Sequence, residues 1–110
     1  DVACVVHAAD VLWIKFNQLC HTPRSVQDYV VLSKQFKIFI IDEIPVISAE
    51  DDHSIWYLIS LIDVLYDARC RCVLCMEAAP NDLYLGSKLK FEFQRTLSRL
   101  QEMQTENYWR

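Results

Sequence analysis

Two carboxylates stand side by side where an apolar stretch of the sequence ends. Residues 38–41 are apolar and mostly β-branched, Asp42 and Glu43 follow them, and Pro45 closes the segment. Such a run is typical of a parallel strand that is buried on both faces. Ligands of open α/β sheets lie beyond the carboxyl ends of these strands, so Asp42 and Glu43 occupy a position where chemistry usually takes place. The residues alone leave open the alternative that both acids are solvated or cap the next element.

The same stretch resembles the second nucleotide-binding motif of P-loop ATPases, which is four hydrophobic residues followed by Asp-Glu. In that motif the Asp assists Mg²⁺ and the Glu activates water. The motif that grips phosphates has the form Gly-x-x-x-x-Gly-Lys-Ser/Thr, because only glycine lets backbone amides close around the phosphates. Gly86 is the only glycine of this sequence, so Gly86-Ser87-Lys88 cannot be that loop.

The cysteines offer a second candidate site. Cys70, Cys72 and Cys75 are closely spaced on a predicted strand, where alternate residues face opposite sides. Cys70 and Cys72 would therefore share one face and Cys75 the other, which is poor geometry for one metal ion. We predict free, mostly buried cysteines and no metal site. The odd number of cysteines and the lack of a secretory signal favour a reducing, intracellular compartment.

Composition limits the class of protein. The 110 residues suit one domain or part of a larger one, and 53% hydrophobic residues with one Gly and three Pro indicate a folded chain. The net charge of −4 and the pI near 5.2 argue against a nucleic-acid partner bound through a broad basic surface. No run of about 18 apolar residues exists, so we predict no transmembrane helix. The chain begins at Asp1 without an initiator Met, which suggests a fragment.

Strand and helix patterns alternate along the sequence. We predict a strand at residues 11–16, a connection at 17–24, and a helix that starts with the Ser25-x-x-Asp28 box. The strand that leads to Asp42 follows. The remaining elements are a helix after residue 53, a strand at 69–75, a short helical piece at 83–85 that stops at Gly86, and a final helix at 91–108. This order predicts an α/β fold with a parallel sheet flanked by helices and a carboxyl-terminal helix.

Several spaced motifs carry a family resemblance from about Trp13 to Tyr108. They are Trp13-x-x-Phe16-x-x-Leu19-Cys20, Pro23-Arg24-Ser25-x-x-Asp28-Tyr29, Asp42-x-x-Pro45, Leu61-Ile62-Asp63-x-x-Tyr66-Asp67 and Phe91-Glu92-Phe93-Gln94-Arg95-Thr96-Leu97-Ser98-Arg99-Leu100-Gln101-Glu102-Met103-Gln104. Together they resemble the ZapE-type family of AAA+ ATPases. This family includes bacterial cell-division ATPases and their mitochondrial lactation-elevated relatives.

The resemblance implies an ATP hydrolase that uses ATP and Mg²⁺, assembles as a homo-oligomer and remodels protein partners. The setting would be cell division in the bacterial cytoplasm or the handling of inner-membrane proteins in the mitochondrion, where peripheral membrane association stays open. Residues 1–110 would be the carboxyl-terminal α/β portion, with a partial P-loop-type sheet and the phosphate loop upstream. We expect the fragment alone to be inactive. The alternative is a non-catalytic protein-binding module derived from such an ATPase.

The resemblance also implies functional roles for three arginines. Arg95 and Arg99 are spaced i and i+4 on the final helix, like sensor arginines that face a nucleotide's phosphates. The alternative is that they form ion pairs within the helix with Glu92 and Glu102. Arg24, in a loop before a helix, would contact a neighbouring subunit or face solvent.

The sequence departs from the family at two places. The family more often has Asp-Val-Pro where this chain has Asp42-Glu43-Ile44-Pro45, so a catalytic role of Glu43 is not carried over. We therefore expect Asp42 and Glu43 to be structural, and the catalytic acids to lie upstream on another strand. Trp56 and Tyr57 stand where the family usually has an Arg pair.

Overall fold

The computed structural model describes residues 6–8, 10–21, 26–105 and 108, and its elements alternate as the sequence predicts. The strands and helices are β1 (Val6–Ala8), β2 (Val11–Lys15), α1 (Val26–Gln35), β3 (Ile38–Ile44), α2 (Asp52–Asp67), β4 (Arg71–Met76) and α3 (Lys90–Glu102). A π-helical turn at Asn17–His21 follows β2, and a 3₁₀ turn at Pro80–Asp82 follows β4. Ser25, the predicted start of α1, lies outside the described residues.

The sheet has the strand order β1-β2-β3-β4, and β2, β3 and β4 run parallel. Helix α1 connects β2 to β3, and α2 connects β3 to β4. This confirms the predicted α/β fold with a parallel sheet, flanking helices and a carboxyl-terminal helix. β1 pairs antiparallel with β2 and was not predicted, because three residues are too few to show a periodic pattern.

The hydrophobic core lies on one face of the sheet. Leu12 and Ile14 of β2, and Phe39 and Ile41 of β3, are fully buried and belong to the same cluster as the inner faces of α1 and α2. Consecutive right-handed crossovers between neighbouring strands place both helices on this one side. The prediction that β3 is covered on both faces is wrong for the described chain, because Ile40 on the opposite face stays partly exposed.

Helix α2 is the main hydrophobic layer over the sheet. Its apolar positions recur every three or four residues, and six of them are essentially buried: Ile55, Leu58, Ile59, Leu61, Ile62 and Leu65. Burial of each such side chain contributes about 1.5–3 kcal/mol. Trp56 points away from this layer and is 51% exposed.

The segment after β4 differs from the prediction. Residues 83–85 are not helical, because Tyr84 forms an isolated parallel bridge with Ile47. The hydroxyl of Tyr84 donates a hydrogen bond to Asp52 at 2.6 Å and accepts one from the Leu89 amide at 3.2 Å. These contacts hold the Tyr84 ring against Gly86, where an added Cβ would lie 2.5 Å from the ring hydroxyl. Gly86 is therefore needed for close packing and does not stop a helix.

The final helix is shorter than predicted. It ends at Glu102 rather than at residue 108, and the chain turns after Met103. Tyr108 packs back against the end of α2, where its hydroxyl lies 2.6 Å from the Cys70 carbonyl and 3.0 Å from the Leu65 carbonyl. These two hydrogen bonds tie Tyr108 to the end of α2 and to the residue before β4.

Candidate functional site

The carboxyl end of β3 carries Asp42 at the edge predicted from the sequence. One carboxylate oxygen of Asp42 accepts a hydrogen bond from the indole of Trp13 at 3.3 Å, and the other accepts from the Glu43 amide at 2.9 Å. The register of β3 against β4 shifts between Ile41 and Ile44, so Asp42 lies at an irregularity of the ladder. Both oxygens of this acid already stabilise the strand end.

Two further acids flank the same edge. Glu43 has a left-handed backbone, with φ of 55°, and its carboxylate pairs with Lys15 at 3.3 Å. Glu77, which the sequence analysis did not select, follows β4 and accepts a hydrogen bond from the Val46 amide at 2.7 Å. With Asp42 they border a shallow pocket of about 400 Å³. Glu77 carries the same sequence signal as Asp42, namely an acid at the carboxyl end of a predicted strand.

A second cluster joins α2 to α3, and we call it the α2–α3 clamp. It consists of Asp63, Tyr66, Arg69, Arg99, Glu102 and Tyr108. Arg99 forms an ion pair with Asp63 across the two helices. Its guanidinium also lies 5.1 Å from the centre of the Tyr66 ring, within the range of a cation–π interaction. The partner of Arg99 is thus on α2, and not Glu92 or Glu102 of its own helix.

The aromatic part of the clamp links α2 to the terminal segment. The rings of Tyr66 and Tyr108 are stacked, with centres 5.9 Å apart and planes 24° from parallel. Arg69 lies over the Tyr108 ring at 5.1 Å. The Tyr66 hydroxyl donates to the Glu102 carboxylate, whose two oxygens are both 2.9 Å away. The clamp therefore joins the end of α2 to α3 and to the terminal segment through two cations, two rings and two acids.

The clamp changes the acidity of its tyrosines. The hydrogen bond from Tyr66 to Glu102 raises the pKa of Tyr66, because the carboxylate favours the protonated hydroxyl. Burial raises the pKa of Tyr108, since the phenolate would lose its hydration. Both hydroxyls therefore act as hydrogen-bond donors at neutral pH.

The structure separates the two predicted sensor arginines. Arg99 is held by Asp63 and Tyr66. Arg95, one turn earlier, is exposed, and no carboxylate pairs with it within the described part of the chain. Arg24, the predicted inter-subunit residue, lies outside the described residues. The roles of all three arginines stay predictions.

A groove of about 600 Å³ runs between β4 and α3. Its walls are mainly apolar, and no charged side chain among the described residues lines it; the lining includes Leu74, Met76, Leu97, Leu100 and Met103. Cys72 lies at its base, and burial raises the pKa of this thiol to about 12.

The sequence of the chain was compared with known protein families. Residues 1–110 match the sequence profile of the AFG1-like ATPase family. The chain belongs to the AFG1-like ATPase family. Membership confirms the resemblance drawn from the spaced motifs. Two of those motifs meet in the α2–α3 clamp, since Asp63 and Tyr66 come from one and Arg99 from the other.

Three relatives show how much of an AFG1-like ATPase this chain represents. The cell division protein ZapE of Escherichia coli K12 is 39% identical over 97 residues, which is 88% of this chain and 26% of ZapE. An uncharacterized protein of Schizosaccharomyces pombe is 29% identical over 92% of the chain and 28% of its own length. Lactation elevated protein 1 homolog B of Danio rerio is 28% identical over 86% and 25%. The chain spans about a quarter of these relatives.

One further comparison gave no match. No solved structure is significantly similar to this chain. Among the described residues, none of the helices combines the length and the apolar character needed to cross a bilayer.

Proposed function

We propose that residues 1–110 are the carboxyl-terminal α/β portion of a longer AFG1-like ATPase that hydrolyses ATP. The observation that carries the proposal is the family match over residues 1–110, in a chain that spans about a quarter of its relatives. The phosphate loop would lie in the remaining polypeptide. The fragment alone is then expected to be inactive, because Gly86 packs against Tyr84 and cannot serve in a phosphate-binding loop.

The acids at the strand end do not fit a magnesium site. Asp42 accepts hydrogen bonds at both oxygens, and Glu43 is paired with Lys15. Mg²⁺ is held in octahedral geometry by one or two carboxylates together with waters and phosphates, so here it would compete with the Trp13 and Glu43 donors for Asp42 and with Lys15 for Glu43. We therefore place the Mg²⁺ and ATP ligands mainly outside this chain and keep Asp42 and Glu43 as structural residues.

Within the chain, Arg95 is the residue we assign to contact the nucleotide. Its exposed guanidinium is available for a phosphate, whereas Arg99 would first have to leave Asp63 and Tyr66. Arg99 instead fixes α3, and therefore Arg95, relative to α2. For Arg24 we keep the proposal of a contact with a neighbouring subunit of a homo-oligomer.

The cellular role follows from the relatives by analogy. One relative is named for cell division and another as a lactation elevated protein homolog. We propose an intracellular protein of the bacterial cytoplasm or the mitochondrion that remodels protein partners, with peripheral membrane association in the second setting. The acidic net charge supports protein rather than nucleic-acid partners.

ATP turnover by the full-length protein tests the assignment of Arg95. A charge-assisted hydrogen bond is worth about 1.5–3 kcal/mol, so Arg95→Ala should lower turnover at saturating ATP roughly ten- to hundred-fold. Lys90→Ala, which removes another exposed cation of α3, is the matched control and should retain turnover. Equal turnover by wild type and Arg95→Ala would dispose of the assigned role.

A non-catalytic binding module is the second candidate. The observation in its favour is Trp56, which is 51% exposed on α2 where the family usually has an arginine. Exposed aromatic residues of this kind are common anchors of protein interfaces. The two candidates differ in nucleotide binding, since ATP should raise the melting temperature of a full-length ATPase and leave that of a module unchanged.

A further inference from the structure

Strand β4 has backbone groups that point away from the rest of the sheet. Within the described part of the chain, β3 is the only strand beside β4. The amides of Arg71 and Glu77 donate to carbonyls at the two ends of β3, each at 2.8 Å. Because peptide groups alternate sides along a strand, those of Cys72, Leu74 and Met76 point away from β3. We call these outward groups the β4 edge.

The β4 edge and the groove between β4 and α3 form one surface. The side chains of Cys72, Leu74 and Met76 line this groove of about 600 Å³. At the amino end, the hydroxyl of Tyr108 donates to the Cys70 carbonyl at 2.6 Å and closes the edge there. The open part covers residues 72–76, which is about 17 Å at roughly 3.3 Å per residue. An extended chain that pairs with this edge would place every second side chain in the groove.

The β4 edge lacks the features that keep most natural edge strands unpaired. Such strands usually carry charges, proline or a bulge. Residues 72–76 are Cys-Val-Leu-Cys-Met, with no charge, proline or glycine. The exposed row of α3 that includes the groove residue Gln101 is uncharged as well, since Gln94 and Ser98 precede it at helical spacing. A charged side chain would lose its hydration in the groove without gaining a partner, so the surface suits an uncharged segment.

We infer that the β4 edge and the groove bind an extended, uncharged segment of a partner protein by strand addition. The backbone of the segment would pair with β4, and its alternate apolar side chains would enter the groove. Both methionines of the chain, Met76 and Met103, line this groove. Methionine is flexible and is common at surfaces that bind several different sequences.

The rim of the groove favours a reversible partner. It carries the exposed amides of Asn81, Gln101 and Gln104, each of which can both donate and accept a hydrogen bond. Permanent interfaces, with the same polypeptide or with a second copy, are more apolar than this. The inference rests on the proposed function in one respect, namely that the partners of the full-length ATPase are proteins.

Binding of synthetic peptides to the wild-type full-length protein tests the inference. The probe is a hexapeptide of alternating valine and threonine, with an uncharged fluorophore at its amino end and an amide at its carboxyl end. Two control probes carry N-methyl groups, one on its two inner valines and the other on its two inner threonines. Strand addition uses only one of these two sets of amides. We expect saturable binding of the parent probe by fluorescence anisotropy, and binding that is at least roughly ten-fold weaker for one methylated probe but not for the other.

Amide hydrogen exchange of the same protein locates the binding site. With exchange resolved to single residues by fragmentation mass spectrometry, the amides of Cys72, Leu74 and Met76 should exchange rapidly in the free protein. Saturating probe should slow their exchange at least roughly ten-fold and leave residues 26–35 of α1 unchanged.

Each other outcome overturns the inference. Absence of saturable binding, or equal losses with both methylated probes, would exclude strand addition. Slow exchange of the outward amides in the free protein would mean that the rest of the polypeptide covers the edge, or that a second copy does so if exchange becomes fast on dilution to monomer. ATP turnover of the same sample reports separately on the proposed enzymatic function.

Discussion

Removal of Arg99 should loosen α3 by an amount that the clamp geometry allows us to estimate. The ion pair with Asp63 has side chains that are 29% and 32% exposed, so it lies between a surface pair and a buried one. We take about 1–1.5 kcal/mol for this pair and about 0.5–1 kcal/mol for the cation–π contact with Tyr66. Arg99→Ala should therefore cost about 1.5–2.5 kcal/mol of local stability.

Amide hydrogen exchange of the full-length protein measures this cost where it arises. Local opening of α3 exposes its amides, and each 1.4 kcal/mol corresponds to a ten-fold change in exchange rate. Arg99→Ala should therefore accelerate exchange in a peptide spanning residues 90–105 by roughly ten- to fifty-fold. Arg95→Ala is the matched control on the same helix and should change the rate less than about three-fold, because Arg95 has no ion pair or ring contact among the described residues.

A double-mutant cycle isolates the ion pair itself. Asp63→Ala and Arg99→Ala should be non-additive by about 1 kcal/mol, because either change alone removes the shared interaction. Tyr66→Phe retains the ring and loses only the hydrogen bond to Glu102, so its effect should be smaller than that of Arg99→Ala. Additive effects of Asp63→Ala and Arg99→Ala, or unchanged exchange in α3, would refute the role given to the clamp.

Three further predictions concern packing, acidity and association. Gly86→Ala should lower the stability of the full-length protein by about 1–3 kcal/mol in thermal unfolding, because the new Cβ would meet the fixed Tyr84 ring; Ser87→Ala, next to it, should be near neutral. Burial raises the pKa of Cys72 to about 12, so the folded state favours the protonated thiol; the stability this gives is complete below about pH 8.5 and is lost as pH rises toward 12. At pH 8, Cys72 should therefore alkylate more slowly than the exposed Cys75. The isolated chain should associate through its open sheet edge, and a monodisperse monomer with a sharp, concentration-independent transition would contradict this.

The parallel sheet could be predicted because its signals are local. The apolar runs of β2 and β3 and the three- and four-residue spacing in α2 are visible without any tertiary contact. The position of Asp42 at a strand end followed from the same pattern. The uncovered face of β3 could not be predicted, since an apolar run looks the same whether its second cover lies in this chain or elsewhere in the polypeptide.

The errors arose where a distant partner overrides a local signal. Residues 83–85 are followed by Gly86 and look like the end of a helix, but Tyr84 pairs with Ile47, which is far away in sequence. Likewise, Arg99 has acidic neighbours at helical spacing, but its partner is Asp63 on the preceding helix. Sequence spacing within one helix cannot show which of several acids a side chain reaches once two helices pack together.

The clamp also gives a physical meaning to the motifs that revealed the family. Asp63, Tyr66 and Arg99 come from two motifs separated by a strand and a loop, and the structure brings their side chains together. A motif residue engaged in this way keeps α3 in place and is not free to bind a phosphate. Arg95 belongs to the same terminal motif, but no partner of this kind contacts it within the part of the chain that the structure describes. We therefore expect different effects from the two substitutions. Loss of Arg99 should change both amide hydrogen exchange in α3 and ATP turnover, whereas loss of Arg95 should change ATP turnover alone.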